Sequence, residues 1–373
     1  MIRSSDHVLA DHIESVRLID HHVHGFWLES GDRSRFESGL SEGNANPMAD
    51  FGSAFDTQLG FALRAHCAPL LGLARHVDAD TYWDHRSGYD DIELARVFLG
   101  AAGVSDWLVD TGLSSGVAEP ALVSEVSGAR AHEVLRLETL AQDAAHMSGD
   151  YAAVFEELLH TRGAAAIATK SILAYRGGFV GDLSDPSAAS VREAAARWRD
   201  EGGTRLTDRV LLRFGLHQAL RLGKPLQFHV GFGDRDCDLA RANPLHLRDF
   251  LCTAGDTPVM LLHCYPFERE AGYLAQAFNN VYLDGGLSIN FLGARARDFI
   301  GRLLELAPFH KILYSSDGYG PPELHYLGAR LWRNGIRDVV TEFVQADEWS
   351  VGDAMRVVEL IASTNARRVY GLG

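Results

Sequence analysis

The sequence predicts an α/β protein, a (β/α)8 TIM barrel with a helical insertion after its first strand. Short apolar runs alternate with helical patterns along the chain. Several of these runs lack polar alternation, which is typical of parallel strands buried on both faces. No G-x-G-x-x-G follows an early strand, so the competing open sheet of a dinucleotide-binding protein lacks its phosphate-binding signal.

Eight strands with intervening helices fit a closed barrel better than any other layered arrangement. The strands are predicted at residues 16–22, 106–110, 133–138, 164–170, 225–230, 258–263, 280–284 and 311–316. The clearest helices are predicted at residues 188–199, 209–222, 244–252, 269–278, 295–306, 326–345 and 351–362.

Residues 25–105, between the first two strands, form an insertion with helical patterns and many aromatic residues. We interpret it as a cap over the barrel mouth, so that residues 1–373 make one domain. Its aromatic residues Trp27, Phe51 and Phe55 either line a pocket or belong to the core. Residues 82–86 are expected to serve turnover more than folding, because a cap that excludes water strengthens electrostatic interactions beneath it.

The charge of the chain argues against a nucleic-acid partner. Lys and Arg total 35 and Asp and Glu total 50, which gives a net charge of −15, and no basic run is present to neutralise phosphates. Four widely spaced cysteines, no apolar signal core and no stretch of ~18 apolar residues indicate a reduced cytoplasmic protein without a membrane span. A small-molecule substrate is therefore expected, and a homo-oligomer stays open.

Histidines and an aspartate stand at the ends of several predicted strands. The first strand ends in Asp20-His-His-Val-His24, where alternation places His22 and His24 on one face and His21 on the other. His229, His263 and Asp317 follow the apolar runs of strands five, six and eight. Because the carboxyl ends of barrel strands meet at one mouth, these residues predict a site for zinc or a similar divalent metal.

Three further residues follow strand four and are ambiguous on their own. Lys170 closes an apolar run. Its amine either reaches solvent, pairs with an acidic side chain or binds a metal ion. Arg176 and Tyr175 could bind a substrate carboxylate through a guanidinium and a hydroxyl, or Arg176 could form a surface ion pair. Glu138, after strand three, either faces the mouth or pairs with Arg136.

Longer stretches carry a family resemblance. The Asp20-x-His22-x-His24 start, His229, His263 and Asp317 resemble the metal ligands of the amidohydrolase superfamily. One branch is similar in further segments, which are KSILAYRGG at 170–178, HVGFGDRD at 229–236, NPLHLR at 243–248, HCYP at 263–266 and SDGY at 316–319. That branch is the amidohydrolase-like domain of plant nodulin and fungal FluG-type proteins, where it is fused to a glutamine-synthetase-like domain.

The resemblance implies a metal-dependent hydrolase of a non-peptide C–N bond. By this likeness one or two ions, most simply Zn²⁺ with Mn²⁺ as the alternative, are held by His22, His24, Lys170, His229, His263 and Asp317. Lys170 would be carboxylated and would bridge two ions. Asp317 would act as general base and acid, and His263 would ligate or stabilise an oxyanion. The synthetase partner suggests a γ-glutamyl amide or another carboxylated amide as substrate.

Two rival functions stay open at the level of sequence. The same histidines and aspartate would serve a single-metal decarboxylase of an aromatic or unsaturated acid, which would need an unmodified Lys170. A regulatory barrel that retains metal only as structure would need a closed site without an open coordination position.

Overall fold

A computed structural model describes residues 4–42, 52–113 and 116–373 of the chain. Within these ranges, seven parallel strands form one sheet in sequential order β1 to β7. Their bounds are β1 Leu18–Val23, β2 Val104–Asp110, β3 Arg130–Arg136, β4 Ala168–Ser171, β5 Leu226–His229, β6 Val259–Leu262 and β7 Val281–Leu283. Sequential parallel order with helical crossovers is the connectivity of a barrel.

The barrel is closed by an extended segment at the position of the predicted eighth strand. Leu313 N donates to Leu283 O at 2.9 Å, and His21 N donates to Tyr314 O at 3.2 Å, so the segment bonds to both β7 and β1. It falls short of a regular strand, because Ser316 N donates to the Asp20 carboxylate at 3.0 Å instead of a strand carbonyl. The predicted (β/α)8 fold is confirmed, with an irregular eighth strand.

Helices surround the barrel and also fill much of the insertion. The α-helices among the described residues are α1 Ser4–Ser15, α2 Arg33–Ser38, α3 Gln58–His66, α4 Ala79–Arg86, α5 Asp91–Ala101, α6 Pro120–Ser127, α7 Leu137–His146, α8 Tyr151–Ala165, α9 Ala188–Asp200, α10 Arg209–Leu222, α11 Arg248–Thr253, α12 Glu268–Ala277, α13 Ser288–Leu292, α14 Ala296–Leu306, α15 Glu323–Gln345, α16 Val351–Glu359 and α17 Asn365–Tyr370. The predicted helix 244–252 is divided, since Pro244–Leu247 forms a 3₁₀ turn before α11.

Two hydrophobic cores hold the barrel. The larger lies between the strands and their helices. The smaller contains residues from most strands, including Ile19, Leu108 and Val134, and it is completed by Tyr370 of α17. The C-terminal helix therefore closes one end of the barrel with a side chain that carries a hydroxyl group.

The insertion is anchored to the barrel by a buried ion pair. Arg86 of α4 pairs with Glu323 at the start of α15 at 2.5 Å, and Tyr82 donates to the same carboxylate at 3.1 Å. All three side chains are buried. Residues 82–86 therefore also serve folding, because two of them satisfy a buried charge, and the effect of their deletion on turnover stays a prediction. Phe55 packs against Tyr82 in the core, and Phe51 lies outside the described residues.

No helix among the described residues has the length and apolar character needed to span a bilayer. The four cysteines are all free, and Cys67 and Cys264 are buried.

Replacement of Glu323 should destabilise the fold. Glu323→Gln leaves the Arg86 guanidinium buried without its counter-charge, and breaking such a pair costs about 3–5 kcal/mol. The free energy of unfolding in urea measures the loss. Asp185→Asn, which breaks the exposed pair with Arg221, is the control and should change stability by less than about 1 kcal/mol. Similar losses in both variants would contradict the role given to the buried pair.

Candidate metal centre

The strand ends bring five of the predicted ligands into one buried cluster. Asp317 Oδ1 lies 3.1 Å from His22 Nε2 and 3.3 Å from His24 Nε2. Asp317 Oδ2 lies 3.7 Å from His263 Nε2, and Lys170 Nζ lies 3.1 Å from His22 Nε2. The ligand atoms of His22, His263 and Asp317 all lie within 4.8 Å of one another. The predicted convergence at one mouth is therefore present for these residues.

Hydrogen bonds behind the cluster set the tautomers of two histidines. His22 Nδ1 donates to Gln227 Oε1 at 2.8 Å, and the orientation of that amide follows from its Nε2, which donates to His21 O. His24 Nδ1 donates to the backbone oxygen of Asp110 at 3.2 Å. In a neutral imidazole one nitrogen donates and the other accepts. Both Nε2 lone pairs consequently face Asp317 Oδ1.

Burial keeps the imidazoles of His22 and His263 neutral. It lowers the pKa of His22 to about 3, with a further contribution from Lys170, and lowers the pKa of His263 to about 4. Burial also opposes ionisation of Asp317, but the neighbouring His263, His22 and His24 hold the pKa of this carboxyl well below its usual range. The cluster at neutral pH therefore contains a carboxylate beside the neutral imidazoles of His22 and His263.

Such a cluster fits a divalent cation. Among the described residues, neither ring nitrogen of His263 has a hydrogen-bond partner and Asp317 Oδ1 has none either, although all three atoms are buried. A buried polar atom without a partner costs about 1–3 kcal/mol. Neutral imidazole nitrogens and a carboxylate are ligands for zinc and similar ions, so one ion would satisfy the atoms that the protein leaves unpaired.

Two of these residues adopt backbone conformations that are unusual for non-glycine residues. His263 and Asp317 have φ angles of 69° and 49°, a region that costs about 1–3 kcal/mol and is found most often at functional sites. Backbone bonds hold both in place. His263 N donates to Asp284 Oδ1 at 3.0 Å, and Asp317 N donates to His22 O at 3.1 Å.

His229 stands at the side of the cluster. Its ring packs against that of His263 with centroids 4.5 Å apart. Its Nε2 lies 2.9 Å from Phe232 O and 3.0 Å from the Tyr175 hydroxyl, so this nitrogen is engaged by the wall of the site. Its role as a ligand stays a prediction.

Lys170 is buried, with 2% of its surface exposed. Burial lowers the pKa of its amine to about 8. The side chain neither reaches solvent nor forms an ion pair among the described residues, which removes the two structural explanations for a lysine at the end of β4.

Two carboxylates at the site were not among the predicted residues. Asp110 ends β2, and its carboxylate belongs to a second close group with His22 and His24. Arg136 pairs with Asp110 at 2.7 Å, and Glu138 instead accepts from Ser171 Oγ and Ile172 N. The expected pairing of Glu138 with Arg136 is therefore wrong. Asp110 could have been found, since it closes an apolar run like the predicted ligands.

The second missed carboxylate, Asp284, follows β7. It accepts from His21 Nε2 at 2.9 Å, while His21 Nδ1 lies 2.9 Å from the Tyr370 hydroxyl. His21 belongs to neither of the two groups of possible metal ligands, and the pairing of β1 with β2 is irregular between Asp20 and Val23. Strict alternation does not hold across such an irregularity.

A cavity of about 480 Å³ opens onto the cluster. Tyr175 and Arg176 line it on one side, and Trp27 of the insertion lines it with Tyr319, whose ring meets the indole edge-on at 6.0 Å. The predicted substrate-binding residues and one predicted aromatic residue thus border the same cavity as the ligands. Glu42 of the insertion also lines the cavity.

Comparisons with known proteins agree with this geometry. A protein-family model described as Amidohydrolase matches residues 135–372, more than half of the chain. The curated protein fluG of Emericella nidulans is 33% identical over 223 residues, which cover 56% of this chain and 26% of the relative. The chain thus spans about a quarter of that relative's length.

Solved structures show the same fold over the full chain. A protein of Lactobacillus casei ATCC 334 described as a metal-dependent hydrolase has a TM-score of 0.85 at 27% identity and 97% coverage of both chains. A uronate isomerase of Bacillus halodurans C-125 has a TM-score of 0.67 at 15% identity, with 100% of this chain and 98% of that chain covered. The second likeness supports the barrel fold alone.

Removal of the Gln227 side-chain amide should weaken metal binding. Gln227→Leu deletes the acceptor that fixes the His22 tautomer, and loss of such a partner typically costs 10–100-fold in metal affinity. Competition with a chelator measures the dissociation constant. Gln218→Leu, at an exposed glutamine bonded to Glu156, should leave it unchanged. A folded Gln227→Leu protein with wild-type affinity would contradict the assignment.

Proposed function

The chain belongs to the amidohydrolase family and is a metal-dependent hydrolase, and we propose that it cleaves a non-peptide C–N bond in a small carboxylated amide. The observation that carries this proposal is the pair formed by His22 Nε2 and Asp317 Oδ1. They lie 3.1 Å apart as facing lone pairs, an arrangement that calls for a cation between them.

We assign His22, His24 and Asp317 to one ion, with His263, His229 and Lys170 on the side where a second would be held. Zn²⁺ suits these ligands best, and Mn²⁺ is the alternative. A divalent metal held there supplies Lewis-acid polarisation of a carbonyl and lowers the pKa of a water from 15.7 to about 7. The cavity beside the cluster leaves room for a substrate, which argues against a purely structural metal site.

Proton transfer is assigned to Asp317. Its carboxylate is ionised, and its Oδ2 is farther from the nearest imidazole than its Oδ1. Asp317 would accept a proton from the attacking water and return it to the nitrogen that leaves. His263, whose ring nitrogens have no partner in the described part of the chain, would ligate an ion or stabilise the developing oxyanion.

Arg176 and Tyr175 are assigned to the substrate. Arg176 lies at the cavity and forms no ion pair among the described residues, so its guanidinium is available for a carboxylate. Tyr175 places its hydroxyl beside His229. The resemblance to domains fused to a glutamine-synthetase-like partner favours a γ-glutamyl amide within this class.

One observation favours a second candidate, a single-metal decarboxylase of an aromatic or unsaturated acid. Lys170 Nζ lies 3.1 Å from His22 Nε2. An unmodified amine at this place would occupy the space next to the first ion and leave no bridge to a second.

Turnover of amides tests the proposed reaction. The metal-loaded enzyme should release ammonia or an amine from at least one member of a panel of γ-glutamyl and other carboxylated amides. Asp317→Asn should lower kcat by at least about 10²-fold, the usual range for loss of a general acid–base group. Asp249→Asn, at an exposed carboxylate, should retain full activity. Decarboxylation without amide cleavage would contradict the proposal.

Substitution of Lys170 distinguishes two ions from one. Lys170→Arg should lose the second ion and most activity, because a guanidinium cannot become a carbamate and stays positive beside the ions. Metal content per chain, measured by elemental analysis, provides the result. Lys224→Arg, at the loop before β5, is the matched control. Full metal occupancy with near-normal activity in Lys170→Arg would favour the decarboxylase.

A further inference from the structure

Charged side chains around the cavity are unevenly compensated. Arg136 is paired with Asp110, and Arg205 is paired with Asp236 at 2.9 Å. Three others that line the cavity, Arg176, Glu42 and Asp234, have no ion-pair partner in the described part of the chain. Uncompensated charges at a ligand cavity indicate which charges the ligand brings.

The basic side of the cavity is the 3₁₀ turn Leu173–Arg176 after β4. Arg176 is half-buried, its Nη1 donates to Tyr175 O at 3.1 Å, and its Nε is buried without a partner in the ranges that the structure describes. Burial and the neighbouring Arg205 lower the pKa of Arg176. An anion bound here would relieve both the repulsion and the unsatisfied donor.

The acidic residues of the cavity lining come from two segments of the chain. Glu42 belongs to the insertion and is half-buried, whereas Asp234 is exposed in the loop after β5. This loop lies directly against the site, since a Cβ on Gly233 would collide with the Tyr175 hydroxyl. Burial, with the carboxylates of Asp317 and Asp234, raises the pKa of Glu42 to about 8. A cation is the group that would stabilise this pair of acids.

We propose that the substrate is zwitterionic, an amino-acid amide whose carboxylate binds Arg176 and whose free ammonium binds between Glu42 and Asp234. An ammonium has three donors and no acceptor, so it can serve both acidic side chains. The inference rests on the proposed amide hydrolysis, in which water supplies a hydroxyl to the acyl carbon, the C–N bond breaks and the proton of the water goes to the leaving amine. It adds that this amine is distinct from the recognised ammonium.

Product binding tests the inference without turnover. L-Glutamate and N-acetyl-L-glutamate share both carboxylates, and only the first carries an ammonium. Calorimetry on the wild-type enzyme should show at least about tenfold tighter binding of L-glutamate, the size expected for one charge-assisted hydrogen bond. Equal affinities, or no binding of L-glutamate, would overturn the inference.

Variants test which residues bind the ammonium and the carboxylate of the ligand. Glu42→Gln and Asp234→Asn should reduce the preference for L-glutamate to within about threefold, while binding of the acetylated ligand stays unchanged. Arg176→Gln should weaken both ligands. Glu29→Gln in the insertion and Asp238→Asn in the loop after β5, both exposed, should keep the wild-type preference. An unchanged preference in both Glu42→Gln and Asp234→Asn would also overturn the inference.

The amide panel separates this inference from the proposed function. Equal kcat/KM for a γ-glutamyl amide and its N-acetyl form would overturn the zwitterion and leave amide hydrolysis standing. If no amide is cleaved, the proposed reaction fails, and the calorimetric preference still decides whether the cavity selects a free ammonium.

Discussion

The site depends on one constraint, that His22 Nε2 and Asp317 Oδ1 face each other at 3.1 Å without a proton between them. Two lone pairs at this distance repel unless a cation lies beside them. The protein maintains the arrangement by burial, which keeps the His22 imidazole neutral, and by the hydrogen bond to Gln227 that assigns its proton to Nδ1. Every other feature of the centre either maintains this arrangement or makes use of it.

Below the centre, a network of hydrogen bonds connects His22 to Tyr370 at the far end of the barrel. Gln227 accepts from His22 and donates to the Tyr370 hydroxyl, which in turn contacts His21. His21 continues to Asp284, and Asp284 accepts from the backbone of His263. Two predicted ligands, on different strands, are thus oriented by one network. A buried network of this kind is stable only when every member is satisfied, and the Tyr370 hydroxyl supplies a partner to both Gln227 and His21.

The sequence was sufficient for the barrel and for the convergence of ligands, because parallel strands all end at one mouth. It was insufficient wherever a side chain is oriented by a residue distant in sequence. The His22 tautomer depends on Gln227, and the partner of Arg136 is Asp110 on the neighbouring strand. The irregular register of β1 between Asp20 and Val23 is another feature that alternation along a strand does not reveal. Asp110 closes an apolar run, as the predicted ligands do, but no second feature of the sequence indicates that it belongs to the site.

The residues that line the cavity come from strand ends, from the insertion and from a loop. This suggests that the chemistry and the selection of the substrate belong to different parts of the chain. The groups assigned to the metal and to proton transfer lie at strand ends, where backbone bonds and the polar network fix them. Glu42 and Trp27 come from the insertion, and Asp234 comes from a loop. The insertion needs its own anchor to hold these side chains in place, and the buried pair of Arg86 with Glu323 provides it at the start of α15. Glu323 follows Asp317 by only six positions in the chain. One short segment therefore carries both a predicted metal ligand and the carboxylate that anchors the insertion, whose residues would recognise the substrate.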